Sequence, residues 1–151
     1  METINYNSTV SIVQGPSITF KGELKADSYE KVSITLPAKN FKILNILPTS
    51  NTEVIFLSIK ASQYPPQGSS TLYYKVGSNE DSSSHQGKEA SSKAGSSAHE
   101  STHYPKVILN NDHLYISRAV VHLLGRNLNT ITFHNDGDEP VAIEILTCYN
   151  M

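Results

Sequence analysis

Apolar and polar residues alternate with a period of two along most of the chain. The clearest case is EKVSITLP, where Val32, Ile34 and Leu36 fall on one side and polar residues fall on the other. Alternation of this kind, rich in β-branched residues, is typical of a strand with one buried face. The pattern therefore predicts β-strands for most of the chain.

Similar segments follow one another at intervals of about ten residues, with turn-forming residues between them. They are STVSIVQ, SITFKGEL, FKILNIL, EVIFLSIKA, TLYYKVG, KVILN, HLYIS and the two halves of NTITFHNDGDEPVAIEIL. EVIFLSIKA is apolar on both faces, as expected for a central strand that is covered on each side. We expect KVILN to pair with HLYIS through the turn NND, and Thr130–Leu146 to form a hairpin.

The stretch SRAVVHLLGRN is less regular. Ser117 suits a helix N-cap and Gly125 suits the residue after a helix end. The apolar residues between them have helical spacing, although Val121 and Leu123 also share a face if the stretch is a strand. We favour a short helix or helical turn over residues 117–125.

About nine strands, at most one short helix and no βαβ rhythm indicate an all-β protein. We predict a single domain, residues 1–151, built as an antiparallel, jelly-roll-like β-sandwich.

One long Ser-rich loop interrupts this pattern at residues 78–104, which contain no aliphatic residue larger than Ala. Such a composition cannot bury enough apolar area to offset the entropy lost on ordering. We therefore predict a flexible Ser/Gly-rich insertion between two strands. It is either a solvated loop without specific chemistry or a loop that displays itself to a partner.

Charge and hydropathy narrow the choice of partners. The formal net charge is −2 and only 17% of the residues are charged, which argues against a nucleic-acid partner. No apolar run approaches the length that spans a bilayer, and the N-terminal stretch with Glu2 does not resemble a Sec signal peptide. We expect no membrane partner and synthesis in the cytoplasm, with an extracellular or virion assembly left open.

Motifs that would carry catalysis are missing from the sequence. There is no GxSxG, GxGxxG or Walker A pattern. Cys148, the single cysteine, lies three residues from the end and is expected to be a buried small hydrophobe. We therefore expect no enzyme, no catalytic residues and no cofactor.

Six histidines raise the question of a metal site. His85, His99 and His103 lie in the Ser-rich segment, where solvated side chains are expected. His134 with Asp136 and Asp138 is a weak candidate for a cation site, but a turn explains NDGDEP well enough. We predict no metal site.

The remaining interpretation is a structural subunit whose partners are copies of itself. Low charge tolerates dense packing, and the strand-like segment Asn5–Gln14 could add to the sheet edge of a neighbour. This predicts a homo-oligomer such as a filament, tube or capsid-like particle. The residues expected at subunit contacts come from this segment and from the last hairpin: Tyr6, Val10, Ile12, Val141, Ile143 and Ile145.

The alternative is a carbohydrate-binding, lectin-like sandwich, because β-sandwiches are common scaffolds for glycan sites. Such sites use exposed aromatic platforms, and this chain has no Trp. Tyr73 and Tyr74 are adjacent in a strand and point to opposite faces, so at most one can join a platform.

Overall fold

The computed structural model describes residues 1–46, 52–77, 106–124 and 128–151, and within these ranges the chain forms ten strands and one short helix. The strands are β1 (Glu2–Ser11), β2 (Ser17–Ala26), β3 (Ser28–Leu36), β4 (Asn40–Asn45), β5 (Glu53–Ala61), β6 (Leu72–Gly77), β7 (Val107–Ile108), β8 (His113–Ile116), β9 (Thr130–Asn135) and β10 (Val141–Asn150). The helix α1 (Arg118–Val121) continues into a 3₁₀ turn, His122–Leu124.

Eight of the strands form two four-stranded sheets. The first sheet has the order β3-β10-β5-β8, and the second sheet has the order β4-β9-β6-β7. All neighbouring strands are antiparallel. The predicted all-β class with antiparallel sheets is thus confirmed, and the strand order is compatible with the predicted jelly roll.

One core lies between the two sheets. Alternate residues of each strand face it, for example Ile143 and Ile145 of β10, Leu57 and Ile59 of β5, and Phe133 of β9. Full burial of one such side chain contributes about 1.5–3 kcal/mol relative to leaving it in water. The period-two pattern of the sequence therefore marks the residues that hold the sheets together.

Two predicted strand pairings are wrong. β7 belongs to the second sheet and β8 to the first, so KVILN and HLYIS do not pair with each other. The expected hairpin over Thr130–Leu146 is also split, since β9 lies in the second sheet and β10 in the first. The turns are where the sequence indicates, but each one carries the chain across the core to the other sheet.

The predicted short helix is confirmed at residues 118–124. Ser117 occupies the N-cap position, but its side chain makes no capping hydrogen bond and its φ is 81°. Val121 and Leu124 are buried in the core, so this element closes one end of the space between the sheets.

The Ser-rich insertion predicted at residues 78–104 lies outside the described residues. Its flanking strands β6 and β7 are neighbours in the second sheet, with Tyr73 opposite Ile108 and Tyr74 opposite Val107. The insertion therefore joins two adjacent antiparallel strands, as predicted for a loop between strands.

Strands β1 and β2, with the turn between them, form a separate two-stranded sheet, here called the arm (residues 2–26). The two strands pair over ten residues each, from Glu2 opposite Ala26 to Ser11 opposite Ser17. Asp27 joins the arm to β3, and its backbone N–H donates to the carbonyl of Tyr149 at 3.0 Å. The arm thus leaves the domain at the end where β3 begins and β10 ends.

Candidate functional site

The arm has one apolar side and one polar side. Directly paired residues of an antiparallel ribbon share a side, so Val10 shares its side with Ile18, and Ile4 shares it with Leu24. Tyr6 and Phe20 lie on this apolar side as well. The opposite side carries only polar residues: Thr3, Asn5, Asn7, Thr9 and Ser11 from β1, and Ser17, Thr19, Lys21, Glu23 and Lys25 from β2.

At its base, the apolar side of the arm is covered by the arm's own domain. Ala26 is buried in a small cluster with Ile55, Phe56 and Cys148, and Ile4 and Leu24 pack against that cluster. Phe56 and Cys148 point away from the main core, so this contact lies on the outward side of the first sheet. The base therefore anchors the arm by the same kind of apolar contact that forms the core.

Towards its turn, the same apolar side is uncovered. Val10, Ile12, Val13, Ile18 and Phe20 keep between 54% and 92% of their surface exposed. Residues 8–20 include no charged side chain. A group of exposed apolar side chains with no charge among them is a candidate contact surface. We call these five residues the arm patch.

Three of the predicted contact residues lie on the arm. Val10 and Ile12 belong to the arm patch. Tyr6 is half-buried, because its ring lies across the strand pair against Gly22, where any Cβ would collide with the phenol. The N-terminal segment is therefore exposed as a ribbon already paired on one edge, and not as a single free strand.

The prediction is wrong for the other three contact residues, Val141, Ile143 and Ile145, which do not lie at the surface. All three are buried in the main core. Their strand β10 also pairs on both edges, with β3 and with β5. Neither the side chains nor the backbone of this stretch is accessible to another copy, because β10 is an interior strand whose apolar side chains face the core.

A second exposed apolar surface lies on the outward side of the second sheet, here called the outer face. Phe41 and Ile43 of β4 are 57% and 58% exposed, and Ile108 of β7 is partly exposed at the opposite edge. Tyr73 and His134 lie between them on β6 and β9. The outer face therefore runs across all four strands.

The aromatic rings of the outer face are stacked side by side. The His134 ring lies 4.6 Å from that of Tyr73, with an angle of 6° between their planes, and 5.7 Å from that of Phe41. The Lys106 ammonium sits 3.7 Å from the centre of the Tyr73 ring. The Tyr73 ring is thus in contact with both an imidazole and a cation of its own chain.

The opposite orientation of the two adjacent tyrosines is confirmed. Tyr74 is buried, and its hydroxyl lies 2.6 Å from the Tyr115 hydroxyl and 3.0 Å from Nδ1 of His113. Burial raises the pKa of Tyr74 above its usual range, and the hydrogen bond to Tyr115 adds to this effect. This cluster is a hydrogen-bonded part of the core, with Tyr74 held as a neutral phenol.

His134 is uncharged at neutral pH in this setting. Burial lowers its pKa, the Lys75 and Lys106 charges lower it further, and Asp136 partly opposes them. A neutral imidazole adds no further positive charge beside the Lys75 and Lys106 ammonium groups.

The weak cation candidates do not form a ligand set. His134 stacks on the outer face, while the Asp138 carboxylate pairs with the Lys39 ammonium at 3.0 Å. That ammonium also donates to the Asp136 carbonyl at 2.7 Å, so the positive charge of Lys39 already occupies the turn. Within residues 1–46, 52–77, 106–124 and 128–151 no three His, Cys, Asp or Glu side chains are grouped to hold a metal. His85, His99 and His103 lie outside the described residues.

Cys148 is buried, as the sequence predicts for a small hydrophobe. Burial raises the pKa of its thiol to about 11, so the thiol stays protonated at neutral pH. The thiolate is the reactive form, and this position therefore suits packing better than nucleophilic chemistry.

Comparison of the chain with protein-family models, curated proteins and solved structures found no match. In the part of the chain that the structure describes, no helix has the length and hydropathy to cross a membrane.

The sequence pattern does not identify four exposed apolar residues as surface residues: Ile18, Phe20, Phe41 and Ile43. A signal for the first two was present: SITFKGEL alternates in phase with STVSIVQ when the two are paired through the intervening GP turn. Phe41 and Ile43 carry the same alternation as core residues, but they lie opposite His134 and Thr132 on the outward side of the second sheet.

Proposed function

We propose that this chain is a non-enzymatic structural subunit that assembles with copies of itself through its N-terminal arm. The observation that carries the proposal is the arm patch. The apolar side of the arm is covered at its base by its own domain and left open towards its turn. In an assembly, a neighbouring copy covers the open half.

The energetic gain from covering the arm patch is considerable for a small contact. Val10, Ile12, Ile18 and Phe20 are 54–63% exposed, so each contributes on the order of 1 kcal/mol when the rest is buried. Val13 is 92% exposed and has more surface to bury. Hydrogen bonds along the free edge of β1 add to this, since Thr3–Ser11 has no charged residue to discourage strand pairing.

The remaining sheet edges of the described chain are poorer sites for strand addition. β7 and β8 are only two and four residues long. β3 and β4 carry Lys31 and Lys42, and an edge lysine opposes pairing with another strand. Assembly through the arm is therefore favoured over assembly through the edges of the two large sheets.

The strand order supports both functional classes equally. Jelly rolls include subunits of viral capsids as well as lectins, and a fold alone does not choose between them. The Tyr73 ring already contacts His134 and Lys106, which makes the outer face a poorer sugar platform. This favours a particle or filament subunit over a glycan-binding module.

The test replaces the arm patch without disturbing the strands. Val10→Thr, Ile18→Thr and Phe20→Thr keep β-propensity but remove apolar surface. A matched control, Asn7→Ser with Ser11→Asn and Ser17→Asn, changes three exposed positions on the polar side of the same arm.

In sedimentation velocity, we expect the unaltered protein and the control to form oligomers as concentration rises. The arm variant should remain near the subunit mass of 16.6 kDa. Its thermal unfolding curve should match that of the unaltered protein at concentrations where both are monomeric, because its altered residues are exposed. An arm variant that assembles like the unaltered protein contradicts the proposal.

A further inference from the structure

We infer that the arm patch of one copy binds the outer face of the second sheet of another copy. This inference rests on the proposed function and names the surface that receives the arm. It makes the contact head-to-tail, with a donor surface and an acceptor surface on every subunit.

The arm's own base shows which kind of surface its apolar side packs on. Ile4 and Leu24 lie on the outward side of a sheet, against the cluster that contains Phe56 and Cys148. Val10 and Ile18 continue the same side of the same ribbon. An outward sheet face with exposed apolar side chains is therefore the matching partner for the arm patch.

Of the two large sheets, the second offers such a face. Phe41, Ile43, Tyr73 and Ile108 form a band that reaches from β4 to β7. On the first sheet, the exposed apolar residues Tyr29 and Leu114 lie on opposite edge strands.

Polar residues separate these two edge residues of the first sheet. They include the ion pair of Lys31 with Glu144, whose charged atoms are 3.5 Å apart, as well as Ser33, Ser58 and Lys60. The exposed apolar side chains of the first sheet therefore form no continuous band for the arm patch to cover.

The arm patch and the band on the outer face are similar in size and compatible in charge. Three strand spacings of about 4.8 Å make the band about 14 Å wide, and four residues of a strand span about 13 Å. Residues 8–20 of the arm carry no charge, so they bring no repulsion to Lys75, which lies on the outer face opposite Thr132, or to Lys106, whose ammonium sits over the Tyr73 ring. The two surfaces fit as apolar partners of similar extent.

The contact must join different copies. The base of the arm is fixed on the outward side of the first sheet, and the outer face lies on the far side of the second sheet. The main core separates these two sides of one subunit. A contact between two different surfaces repeats from copy to copy, so it produces a ring or a filament.

The test mixes two variants that are each defective in one surface. The face variant is Phe41→Thr with Ile43→Thr, and the arm variant is the triple threonine variant described above. Leu114→Thr is the matched control, because it removes an exposed apolar side chain from the first sheet.

Alone, each variant should sediment as a monomer. Mixed in equal amounts, they should form a complex of about twice the subunit mass and nothing larger. The face variant keeps only its arm patch and the arm variant keeps only its outer face, so each copy can make one contact. The Leu114→Thr control should assemble like the unaltered protein.

A second measurement covers the case in which the face variant folds poorly. A chain with Ile18→Cys is mixed with a chain with Ile43→Cys under mild oxidation, and the buried Cys148 contributes little background. We expect a disulfide-linked dimer that forms several-fold faster in the mixture than with either chain alone.

The other outcomes separate the two proposals. If the face variant assembles normally while the arm variant does not, arms bind each other or an edge, and this inference fails while the proposed function stands. If the arm variant assembles normally, the proposed function fails as well. Arm-dependent binding of an otherwise monomeric protein to phosphatidylcholine vesicles overturns both.

Discussion

Asn135 fastens two turns together at one end of the molecule. Its side-chain amide donates to the carbonyls of Glu139 at 2.8 Å and Pro37 at 3.2 Å, and its Oδ1 accepts from the backbone N–H of Gly137 at 3.0 Å. The residue is buried although it is polar. It therefore links the β3–β4 turn to the β9–β10 turn across the two sheets.

Replacing Asn135 by alanine should lower the free energy of unfolding by about 2–3 kcal/mol, because several buried backbone groups lose their partner at once. Urea denaturation measures this loss. Thr132→Ala, on the outward side of the same strand, is the control and should cost under about 1 kcal/mol. Equal losses at the two positions would show that Asn135 has no special role.

Two histidines should make the stability depend on pH. Burial lowers the pKa of both His113 and His134 from the ordinary value of 6.5. Asp112 near His113 and Asp136 near His134 oppose this only in part. The unfolded chain therefore binds more protons than the folded chain as the pH falls through 6.5 and below, and folding stability decreases.

Urea denaturation at about pH 7.5 and about pH 5.5 measures this effect above the range in which most carboxylates titrate. The midpoint should be lower at the acidic pH. His134→Asn should reduce the difference between the two pH values, because one of the two titrating groups is gone. A midpoint that is unchanged or higher at acidic pH contradicts this account.

At the scale of elements, the alternation of residues predicts which segments are strands but not which strands pair. EVIFLSIKA is covered on both sides as expected, by the main core and by the base of the arm. By contrast, β7 with β8 and β9 with β10 are neighbours in sequence yet lie in different sheets. A short turn fits both a hairpin and a crossing between sheets, so local pattern cannot decide.

The candidate site was also predictable only in part from the sequence. The sequence indicates that the N-terminal segment is a strand with Val10 and Ile12 on it, and the structure exposes both residues. It does not indicate which of the many alternating strands are central. Val141, Ile143 and Phe41 show the same alternation, but the first two face the core while Phe41 lies opposite His134 on the outward side of its sheet.

The loop between β6 and β7 should be dispensable for folding. Because Tyr74 lies opposite Val107, the chain ends that flank the insertion are close enough for a Gly-Ser linker of about eight residues in place of residues 80–102. We expect a single cooperative thermal transition for this variant by circular dichroism. Loss of cooperativity would mean that the inserted segment is part of the folded structure.

At the scale of the whole molecule, the arm patch and the outer face are both left uncovered by the described part of the chain. They lie on different sides of the core, and one is a projection while the other is a sheet face. A subunit with these two surfaces has the means to bind a copy before it and a copy behind it. The uncharged arm patch and the low overall charge place no electrostatic barrier in the way.

The mass of the unaltered protein in solution tests this account most directly. Mass photometry and sedimentation velocity over a range of concentrations should show species at multiples of 16.6 kDa that grow with concentration, and negative-stain microscopy should show rings or filaments. A protein that stays at the mass of one subunit at the highest concentration reached contradicts the central claim that a neighbouring copy covers the arm patch.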